Sequence, residues 1–384
     1  MSDVETFLIG TITGFASGFF PGLHPNMIIS VLASLGLDNQ TVAILIISLY
    51  PANLITSFIP SIFFGIPDSR TVVSVLPGQR MVLEGNGLKA LKVVLFSSII
   101  TALIAVVMLY FSLDFFPLIY GTIKEHMKWI VLAIVCLLMI RSKKPHMSVF
   151  IFILSGLLGK IALSTDITDQ FLPLFSGMFT IAAILNYKKS NVPEQKDDTV
   201  RFDFIKYILA GTVIGMIADL IPGIGSPAQM ATFATIVMRI NTLGYLATIS
   251  SISISQAIFS LATSISIGKN RVGATVWLAK FIDIEENLSL LIVLFVISMT
   301  MSVIGIYAMR KYAAKLAVMD FSKINIILAI YLFAITLIID GTIGIFILVL
   351  SSVVGLLALK LGVERTTLMG AIILPTLLLL FRIF

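Results

Sequence analysis

Charged residues are scarce in this chain of 384 residues: Lys, Arg, Asp and Glu make up 12% of it, whereas a soluble domain has about a quarter. The mean hydropathy is +1.07, and 58% of the residues are hydrophobic. So little polar surface excludes a soluble globule. The composition predicts an all-α polytopic membrane protein, in the cytoplasmic membrane of the cell.

Cysteine and histidine are scarce too. Cys136, the single cysteine, lies within an apolar run, which excludes a disulfide framework within the chain and predicts a small buried apolar residue. His24, His126 and His146 are scattered, without pairing at metal-ligand spacing, and no phosphate-binding glycine loop with its lysine is present. The acidic pair in 166–169 is most simply a solvated turn. The sequence therefore predicts neither an enzyme nor a metal or organic cofactor.

The formal charge of +6 does not indicate a nucleic-acid partner. The basic residues stand in short loops between apolar runs, which is the pattern of membrane topology and not of a nucleic-acid stripe. The first apolar run lacks a basic start and a small-residue cleavage site, so no removable signal peptide is expected.

Two Pro-Gly motifs interrupt apolar segments, and the same residue types precede both. They are Pro21-Gly22-Leu23-His24-Pro25-Asn26 and Pro222-Gly223-Ile224-Gly225-Ser226-Pro227. Gly10, Thr11 and Gly14 precede the first, and Gly211, Thr212 and Gly215 precede the second, 201 residues later in each case. Farther on, Ser61–Gly65 resembles Ser264–Gly268, now 203 residues apart. The sequence predicts two repeats, 1–187 and 204–384, joined by a polar linker over 188–203.

Each Pro-Gly motif divides its apolar segment into halves that are too short to cross a bilayer. The halves 7–20 and 26–35 would cover only about 15 to 20 Å each, against a hydrocarbon core of about 30 Å. They predict a re-entrant helical hairpin, repeated over 204–240. About five transmembrane helices follow in each repeat. The predicted spans are 42–63, 93–113, 129–140, 147–163 and 172–187, then 243–267, 288–309, 324–339, 343–359 and 368–384.

Loop charge indicates how the hairpins are inserted, because cytoplasmic loops collect Lys and Arg. If each hairpin enters and leaves on one side, the basic loops at 141–144, 188–203, 310–323 and 360–365 all fall inside. The turns at 166–169 and at Asp340, which lack Lys and Arg, then fall outside. A single broken crossing helix would place the loop at 310–323 outside instead, so re-entry is favoured.

An odd number of spans in each half inverts the second repeat relative to the first. Inverted repeats with interrupted helices are typical of secondary transporters, whose substrates bind near the midplane where the interruptions meet. The sequence therefore predicts transport by alternating access. A duplication kept for stability alone is the alternative.

The half-helices that begin after the Pro-Gly motifs favour an anion. Free N–H groups and the positive end of the helix dipole together form an anion site, and proline at Pro25 and Pro227 suits a first helical turn. The polar side chains nearby are hydrogen-bond donors; the alternative is that they only cap helix ends. These candidate substrate ligands are His24, Asn26, Ser226 and Gln229.

Two arginines, one amide and one acid complete the candidate site. Arg70 and Arg271 follow the second element of each repeat and could hold carboxylate or phosphate oxygens; the alternative for both is snorkelling or topological bias. Asn53 lies inside the span 42–63 and is a further candidate ligand. Asp219 is an acid close to the second break, and an intramembrane carboxylate is a functional candidate, here for coupling to H⁺ or Na⁺. Gly18 takes its place in the first repeat.

The motifs resemble the large membrane subunit of tripartite tricarboxylate transporters, the TctA type, in its shorter archaeal form. The resemblance is carried by Gly10…Gly14…Pro21-Gly22, Gly65-Ile66-Pro67…Leu76-Pro77-Gly78-Gln79-Arg80-Met81…Glu84-Gly85-Asn86-Gly87…Ala90-Leu91 and Gly211…Gly215…Pro222-Gly223-Ile224-Gly225. It implies an ion-driven permease for organic carboxylates that works, in bacteria, with an extracytoplasmic binding protein and a small membrane subunit. A homodimer is compatible with the sequence.

Two departures from that pattern keep a second substrate class open. His24-Pro25-Asn26 replaces the glycine-rich continuation of tricarboxylate permeases, and Lys269-Asn270-Arg271 stands where a second Ile-Pro-Gly is usual. The added cations fit a more highly charged anion, and the hairpins are also similar to those of polyprenyl-phosphate transporters. A lipid-phosphate flippase is therefore the alternative within transport, and a non-transporting membrane scaffold is the alternative outside it.

Overall fold

A computed structural model describes residues 2–20, 25–64, 75–186, 192–200, 203–221, 230, 241–270, 272–317 and 321–383. These residues form helices and no strand. In the first half the helices are α1 (Asp3–Ser17), α2 (Pro25–Ser34), α3 (Asn39–Thr56), α4 (Val75–Leu83), α5 (Gly87–Ile123), α6 (Met127–Arg141), α7 (Pro145–Leu163), α8 (Phe171–Phe175) and α9 (Ala182–Leu185). In the second half they are α10 (Ile205–Ala218), α11 (Thr242–Ile267), α12 (Gly273–Phe281), α13 (Leu288–Ala317), α14 (Phe321–Leu361) and α15 (Gly370–Leu380). Short π-helices follow α3 and α8, over Pro60–Phe64 and Ser176–Ile181.

Six helices of the described chain are long and apolar enough to cross a membrane. They are Asn39–Phe63, Gly87–Arg141, Pro145–Leu163, Thr242–Ile267, Leu288–Lys315 and Asn325–Leu361, and shorter apolar helices cover Phe171–Leu185, Ile205–Ala218 and Arg365–Leu380. The prediction of an all-helical, multi-pass membrane protein is confirmed. The most apolar stretches of α3 and α11 are wholly buried, so these two helices form the centre of the molecule.

Several helix boundaries differ from the prediction. α5 begins at Gly87 and not near residue 93, and α4 also lies between the predicted spans 42–63 and 93–113. The predicted spans 324–339 and 343–359 are two helical parts of α14 that meet at Gly341, whose φ of +63° is not helical. A glycine tolerates this left-handed conformation, so the chain turns there without a loop.

α1 and α3 run parallel to each other. At their first residues Gln40 donates to a carboxylate oxygen of Asp3 at 3.0 Å, and near the end of α1 Asn53 donates to Ser17 at 2.9 Å. Between these contacts Gly14 packs on Leu49, where an added Cβ would lie 2.8 Å from the Leu49 Cα. α1 and α3 therefore begin at the same face of the molecule.

α10 and α11 repeat this arrangement in the second half. The Tyr207 ring packs on Gly244 near the start of both helices, and Gly215 packs on Ile252 farther along, where an added Cβ would lie 2.6 Å from the Ile252 carbonyl oxygen. The order of contacts again shows two parallel helices. α10 and α11 therefore begin at the same face of the molecule.

The next long helix of each half packs along the central helix of the other half. α5 of the first half packs along α11 of the second, where Thr101 donates to Ser251 at 2.7 Å. α13 of the second half packs along α3 of the first, where Ser298 donates to the carbonyl oxygen of Ser48. Ser48 and Ser251 are 203 residues apart in the sequence, so the same position of each central helix receives the hydroxyl group from the other half.

Turns that were predicted to share a side of the membrane meet in the structure. Asp169 donates its backbone N–H to Asp340 at 2.8 Å, which joins two turns of the predicted outer side. Lys144 donates to the carbonyl oxygen of Leu361 at 2.7 Å, which joins two basic loops of the predicted inner side. These contacts agree with the predicted order of crossings.

Asp169 is not simply part of a solvated turn. It is partly buried, and its Oδ1 caps α8 by accepting from the N–H groups of Phe171 and Leu172 at 3.0 and 3.1 Å. Burial raises the pKa of Asp169. Asp166 is exposed as predicted. The solvated-turn prediction is wrong for Asp169 because the structure needs a cap at the start of α8.

Cys136 is exposed on α6 and is not buried. The prediction failed because an apolar run can face either the protein interior or the lipid, and hydropathy is similar for both.

The described part of the linker, residues 192–200, is held against both halves. Gln195 accepts from the N–H of Gly87 at 2.8 Å and donates to the carbonyl oxygen of Val82 at 2.9 Å, so it caps α5 and ties α4 to it. Asp197 lies 2.6 Å from the Lys92 amino group and 3.1 Å from the Arg310 guanidinium. Lys92 belongs to the first half and Arg310 to the second, so Asp197 bridges the two.

Asp197→Asn is expected to lower the thermal unfolding midpoint of the purified protein. The hydrogen bond from Lys92, with a further contribution from Arg310, holds the pKa of Asp197 below its usual value. The substitution leaves the nearly buried Lys92 ammonium without its carboxylate, at a cost of about 2 kcal/mol. Because the folded pKa lies below the unfolded value of about 3.9, this stabilisation is complete above the unfolded pKa and is lost as the pH falls through the folded one.

The matched control is Asp198→Asn. Lys92 contacts Asp198 through its backbone carbonyl oxygen, at 2.8 Å, which the substitution leaves in place. Equal midpoints for Asp197→Asn and the unsubstituted protein at neutral pH would show that the bridge contributes nothing to stability.

Candidate functional site

α1 and α10 both end inside the molecule. Their 15 and 14 residues correspond to about 22 and 21 Å at 1.5 Å per residue, which is short of a hydrocarbon core of about 30 Å. The predicted Pro-Gly motifs follow these ends directly. The ends of α1 and α10 are therefore the places to look for a site at membrane depth.

Asp219 stands at the end of α10, as its C-cap residue, and is completely buried. Gln256 of α11 donates from Nε2 to Asp219 Oδ1 at 2.7 Å, and its own side chain is buried as well. The end of a helix carries the negative side of the dipole, so an acid is unfavourable there. Helix stability therefore does not explain Asp219, which remains a candidate functional residue.

Asn53 and Ser17 form the corresponding pair in the first half. Asn53 is buried, and its Nδ2 donates to Ser17 Oγ at 2.9 Å. Ser17 in turn donates to the carbonyl oxygen of Gly14 at 3.0 Å. The structure thus brings Asn53, a predicted ligand, to the end of α1.

Asn53 and Gln256 occupy equivalent positions. They are 203 residues apart and stand at the same distance along α3 and α11, about 21 Å from the starts of those helices at Asn39 and Thr242. Each amide donates to a side chain at the end of the short helix of its own half. The central helices therefore carry one amide each at the same depth.

The acid has no equivalent in the first half. Gly18 occupies the position that corresponds to Asp219, 201 residues earlier. An added Cβ at Gly18 would lie 2.6 Å from the Thr56 side chain and 2.8 Å from the Asn53 carbonyl oxygen. The packing leaves no room for a side chain there, so the two ends differ in chemistry although they agree in geometry.

Asn26 brings the first hairpin into contact with the second half. It is the second residue of α2, after Pro25, which begins that helix as predicted. An added Cβ at Gly273, the first residue of α12, would overlap the Asn26 side chain. The start of α2 therefore lies directly against the start of α12, on the connection that also carries Arg271.

The remaining predicted site residues lie outside the residues that the structure describes. They are Pro21, Gly22, His24, Arg70, Pro222, Gly223, Gly225, Ser226, Pro227, Gln229 and Arg271. Among the described residues, no group of three His, Cys, Asp or Glu side chains could hold a metal ion.

Gln256 and Ser17 are the site residues that sequence reasoning missed. A signal for Gln256 was present, because the spacing of 203 residues that relates Ser61–Gly65 to Ser264–Gly268 also relates Asn53 to position 256. For Ser17 there was no such signal, since Ala218 takes its place in the second half.

Comparison with known proteins gives one family and one relative. The sequence profile of the tripartite tricarboxylate transporter TctA family matches residues 6–370. The uncharacterized protein MJ1079 of Methanocaldococcus jannaschii is 29% identical over 409 aligned residues, which cover the whole of both chains. No solved structure matches the chain.

Proposed function

Because the chain belongs to the tripartite tricarboxylate transporter TctA family, which is a family of transporters and not of enzymes, we propose that it is a secondary active transporter. The substrate is a small organic anion of the carboxylate class. It binds at the tips of two re-entrant Pro-Gly hairpins and crosses by alternating access.

One observation carries this proposal: α1 and α10 are too short to cross a bilayer, and each begins at the same face as the central helix, α3 or α11, along which it packs. Irregular backbone at membrane depth is tolerated where it lines a cavity or is buried in protein. In secondary transporters it lies at the substrate site. The matched amides Asn53 and Gln256 supply hydrogen-bond donors at that depth.

The exchange of α5 and α13 between the halves supports two repeats related by a twofold pseudo-symmetry. In such a pair each half contacts the other in the same way, and the Thr101–Ser251 and Ser298–Ser48 contacts have this relation. The contacts between turns of the same predicted side support the order of crossings from which the inversion follows. Alternating access then moves one half against the other around the shared site.

The anion is held by helix starts and by donors. The first turns of the half-helices provide N–H groups, and Arg70 and Arg271 provide guanidinium groups for the carboxylates. The side-chain donors of the hairpin tips are His24, Asn26, Ser226 and Gln229, joined by Asn53 from α3. Of these, Asn26 lies at the contact with α12, where the two halves meet.

The proposal includes partners and a location. The family is that of the large subunit of a tripartite transporter, so an extracytoplasmic binding protein and a small membrane subunit would deliver the substrate. The protein resides in the cytoplasmic membrane, and a gradient of H⁺ or Na⁺ drives uptake.

Counterflow in liposomes tests the proposal. Purified protein in liposomes loaded with unlabelled citrate or succinate is expected to take up the same labelled anion. Arg70→Ala, Asn26→Ala and Gln229→Ala are each expected to reduce this uptake at least tenfold, because each removes a donor from the anion. Arg80→Ala is the matched control, since Arg80 is exposed and pairs with Glu84, the residue after the end of α4.

The alternatives give different results. Polyprenyl phosphate that raises the unfolding temperature, with no counterflow of soluble anions, would favour a lipid-phosphate flippase. If neither citrate, succinate nor polyprenyl phosphate raises the unfolding temperature, and no counterflow occurs, the result would favour a membrane scaffold. Stabilisation is a sensitive readout, because a ligand at a hundred times its dissociation constant adds about 2.7 kcal/mol.

A further inference from the structure

We propose that Arg365, Lys144 and Lys360 form a binding site for the phosphate group of an anionic lipid, on the predicted inner side of the membrane. The ligand is a lipid of the bilayer and not the transported anion, so the inference goes beyond the proposed function. It follows from a guanidinium group that is largely withdrawn from water and has no acceptor in the described chain.

Arg365 stands where the chain re-enters the protein after α14. It is the first residue of a short 3-10 helix, Arg365–Met369, which leads into α15 and packs on α7, α14 and α15. Ser155 of α7 donates to the carbonyl oxygen of Thr367 at 3.4 Å. Arg365 is partly buried, and its Nη1 atom is buried without a hydrogen-bond acceptor among the described residues. Arginine keeps its charge in proteins, so losing a proton does not relieve this burial.

The elements packed around Arg365 bring no acid to it. α7 and α15 contain neither Asp nor Glu, and the one acid of α14, Asp340, lies at the opposite end of its second helical part. Glu364 is exposed, and none of the ion pairs between described residues involves Arg365. A cation at membrane depth is costly without a partner. The partner that this arrangement lacks is an anion from outside the chain.

Two lysines lie beside the turn that precedes Arg365. Lys144 donates to the carbonyl oxygen of Leu361 at 2.7 Å, and an added Cβ at Gly362 would lie 3.4 Å from its amino nitrogen. Lys360 is exposed at the end of α14. Arg365 follows Gly362 by three residues, which is at most about 10 Å of chain. An arginine fork and lysine point charges are together the groups that bind phosphate.

The start of α7 adds partial positive charge at the same turn. Lys144 is the N-cap residue of α7, Pro145 follows it, and no side-chain hydrogen bond caps this helix start. Free N–H groups and the positive end of the helix dipole favour an anion. Because Lys144 reaches Leu361, the start of α7 and the turn after α14 act on one place.

The apolar surroundings indicate a lipid as the source of the phosphate. Phe150 and Ile153 of α7 and Val353 of α14 are exposed, and they lie within about 15 Å of Lys144 or Lys360 along their helices. Acyl chains can cover these side chains while the head group meets the cations. Basic pockets between transmembrane helices on the cytoplasmic side bind anionic head groups in this way. Topological bias explains exposed lysines, but it does not explain a buried guanidinium.

The test titrates purified protein in detergent with phosphatidylglycerol and follows the unfolding midpoint. Phosphatidylglycerol is expected to raise the midpoint, and the dependence on its concentration gives a dissociation constant. Phosphatidylcholine, which has no net charge, and inorganic phosphate, which has no acyl chain, are expected to leave the midpoint unchanged at the same concentrations. The two comparisons distinguish a lipid phosphate from a free one.

Arg365→Gln is expected to weaken phosphatidylglycerol binding at least about tenfold, because a charge-assisted bidentate contact is lost. Lys144→Gln is expected to weaken it about fivefold, as the loss of one basic residue near a lipid head group does. Lys311→Gln is the matched control: Lys311 is an exposed lysine of another loop on the predicted inner side, and its substitution removes the same charge. This control is expected to bind as the unsubstituted protein does.

Three results would overturn the inference. One is an equal dissociation constant for Arg365→Gln and the unsubstituted protein, and another is an equal rise of the midpoint with inorganic phosphate and with phosphatidylglycerol. The third is equal weakening by Lys144→Gln and Lys311→Gln, which would show that the lipid responds only to the total charge of this side. If Arg365→Gln does not fold, the comparison of the two lysine variants still decides.

Discussion

Gly14→Leu and Gly215→Leu are each expected to destabilise the protein by about 3 kcal/mol or more and to abolish transport. Overpacking a well-packed core typically costs about 1 to 3 kcal/mol. Here the new side chain would meet the backbone of Leu49 or Ile252, which cannot turn aside as a side chain can. Close approach of helices through glycine is a main source of their association in membranes, so each substitution separates a short helix from its central partner.

Gly121→Leu is the matched control for both substitutions. Gly121 is a helical glycine of α5, and an added Cβ there meets no atom within 4 Å. The same exchange at this position is expected to leave the unfolding midpoint unchanged or slightly raised, since leucine favours helix more than glycine. Unfolding midpoints in detergent, with counterflow in liposomes, measure the effects. Gly14→Leu or Gly215→Leu with the stability and transport of the control would mean that these helix pairs do not pack as described.

Gln256→Met is expected to slow uptake at least tenfold at neutral pH while the protein stays folded. Methionine has nearly the volume of glutamine and cannot donate to Asp219. The substitution removes the hydrogen bond that positions the Asp219 carboxyl group at the end of α10, so a candidate coupling group is displaced. A folded Gln256→Met variant with the uptake rate of the unsubstituted protein would show that this contact plays no part in transport.

Asn53→Leu is the companion of that substitution in the first half. It removes the hydrogen bond to Ser17 with little change of shape, at a cost of about 1 kcal/mol. Uptake is expected to fall because a candidate ligand is lost. A folded Asn53→Leu variant that takes up the anion at the rate of the unsubstituted protein would contradict the role of Asn53 as a ligand.

The internal repeat shows how much of the site could be predicted from the sequence. The spacing of 201 residues found the equivalence of Gly14 and Gly215, and the spacing of 203 residues related the ends of the central spans. The change from one spacing to the other means that the second half has two additional residues between these positions. A comparison at the single spacing of 201 residues therefore misses the equivalence of Asn53 and Gln256. The structure identified it by its contact with Asp219.

The contacts of the linker, residues 188–203, could not be predicted from the sequence. Its charges predicted a polar connection between the two halves. Asp197 of the linker bridges Lys92 and Arg310, and each of them is more than a hundred positions away from it in the sequence. No local sequence pattern predicts such a contact, because Lys92 and Arg310 could each have faced water instead.

The sequence by itself determined the class of the protein, the order of its apolar helices and the family. These are properties of segments, since hydropathy, proline and glycine act on the residues next to them. Only the tertiary structure decided that α1 runs parallel to α3 and α10 to α11, that Asp219 meets Gln256, and that Cys136 is exposed. The physical reason is that lipid and protein interior are equally apolar: hydropathy places a helix in the membrane, but packing between helices decides which side chains meet.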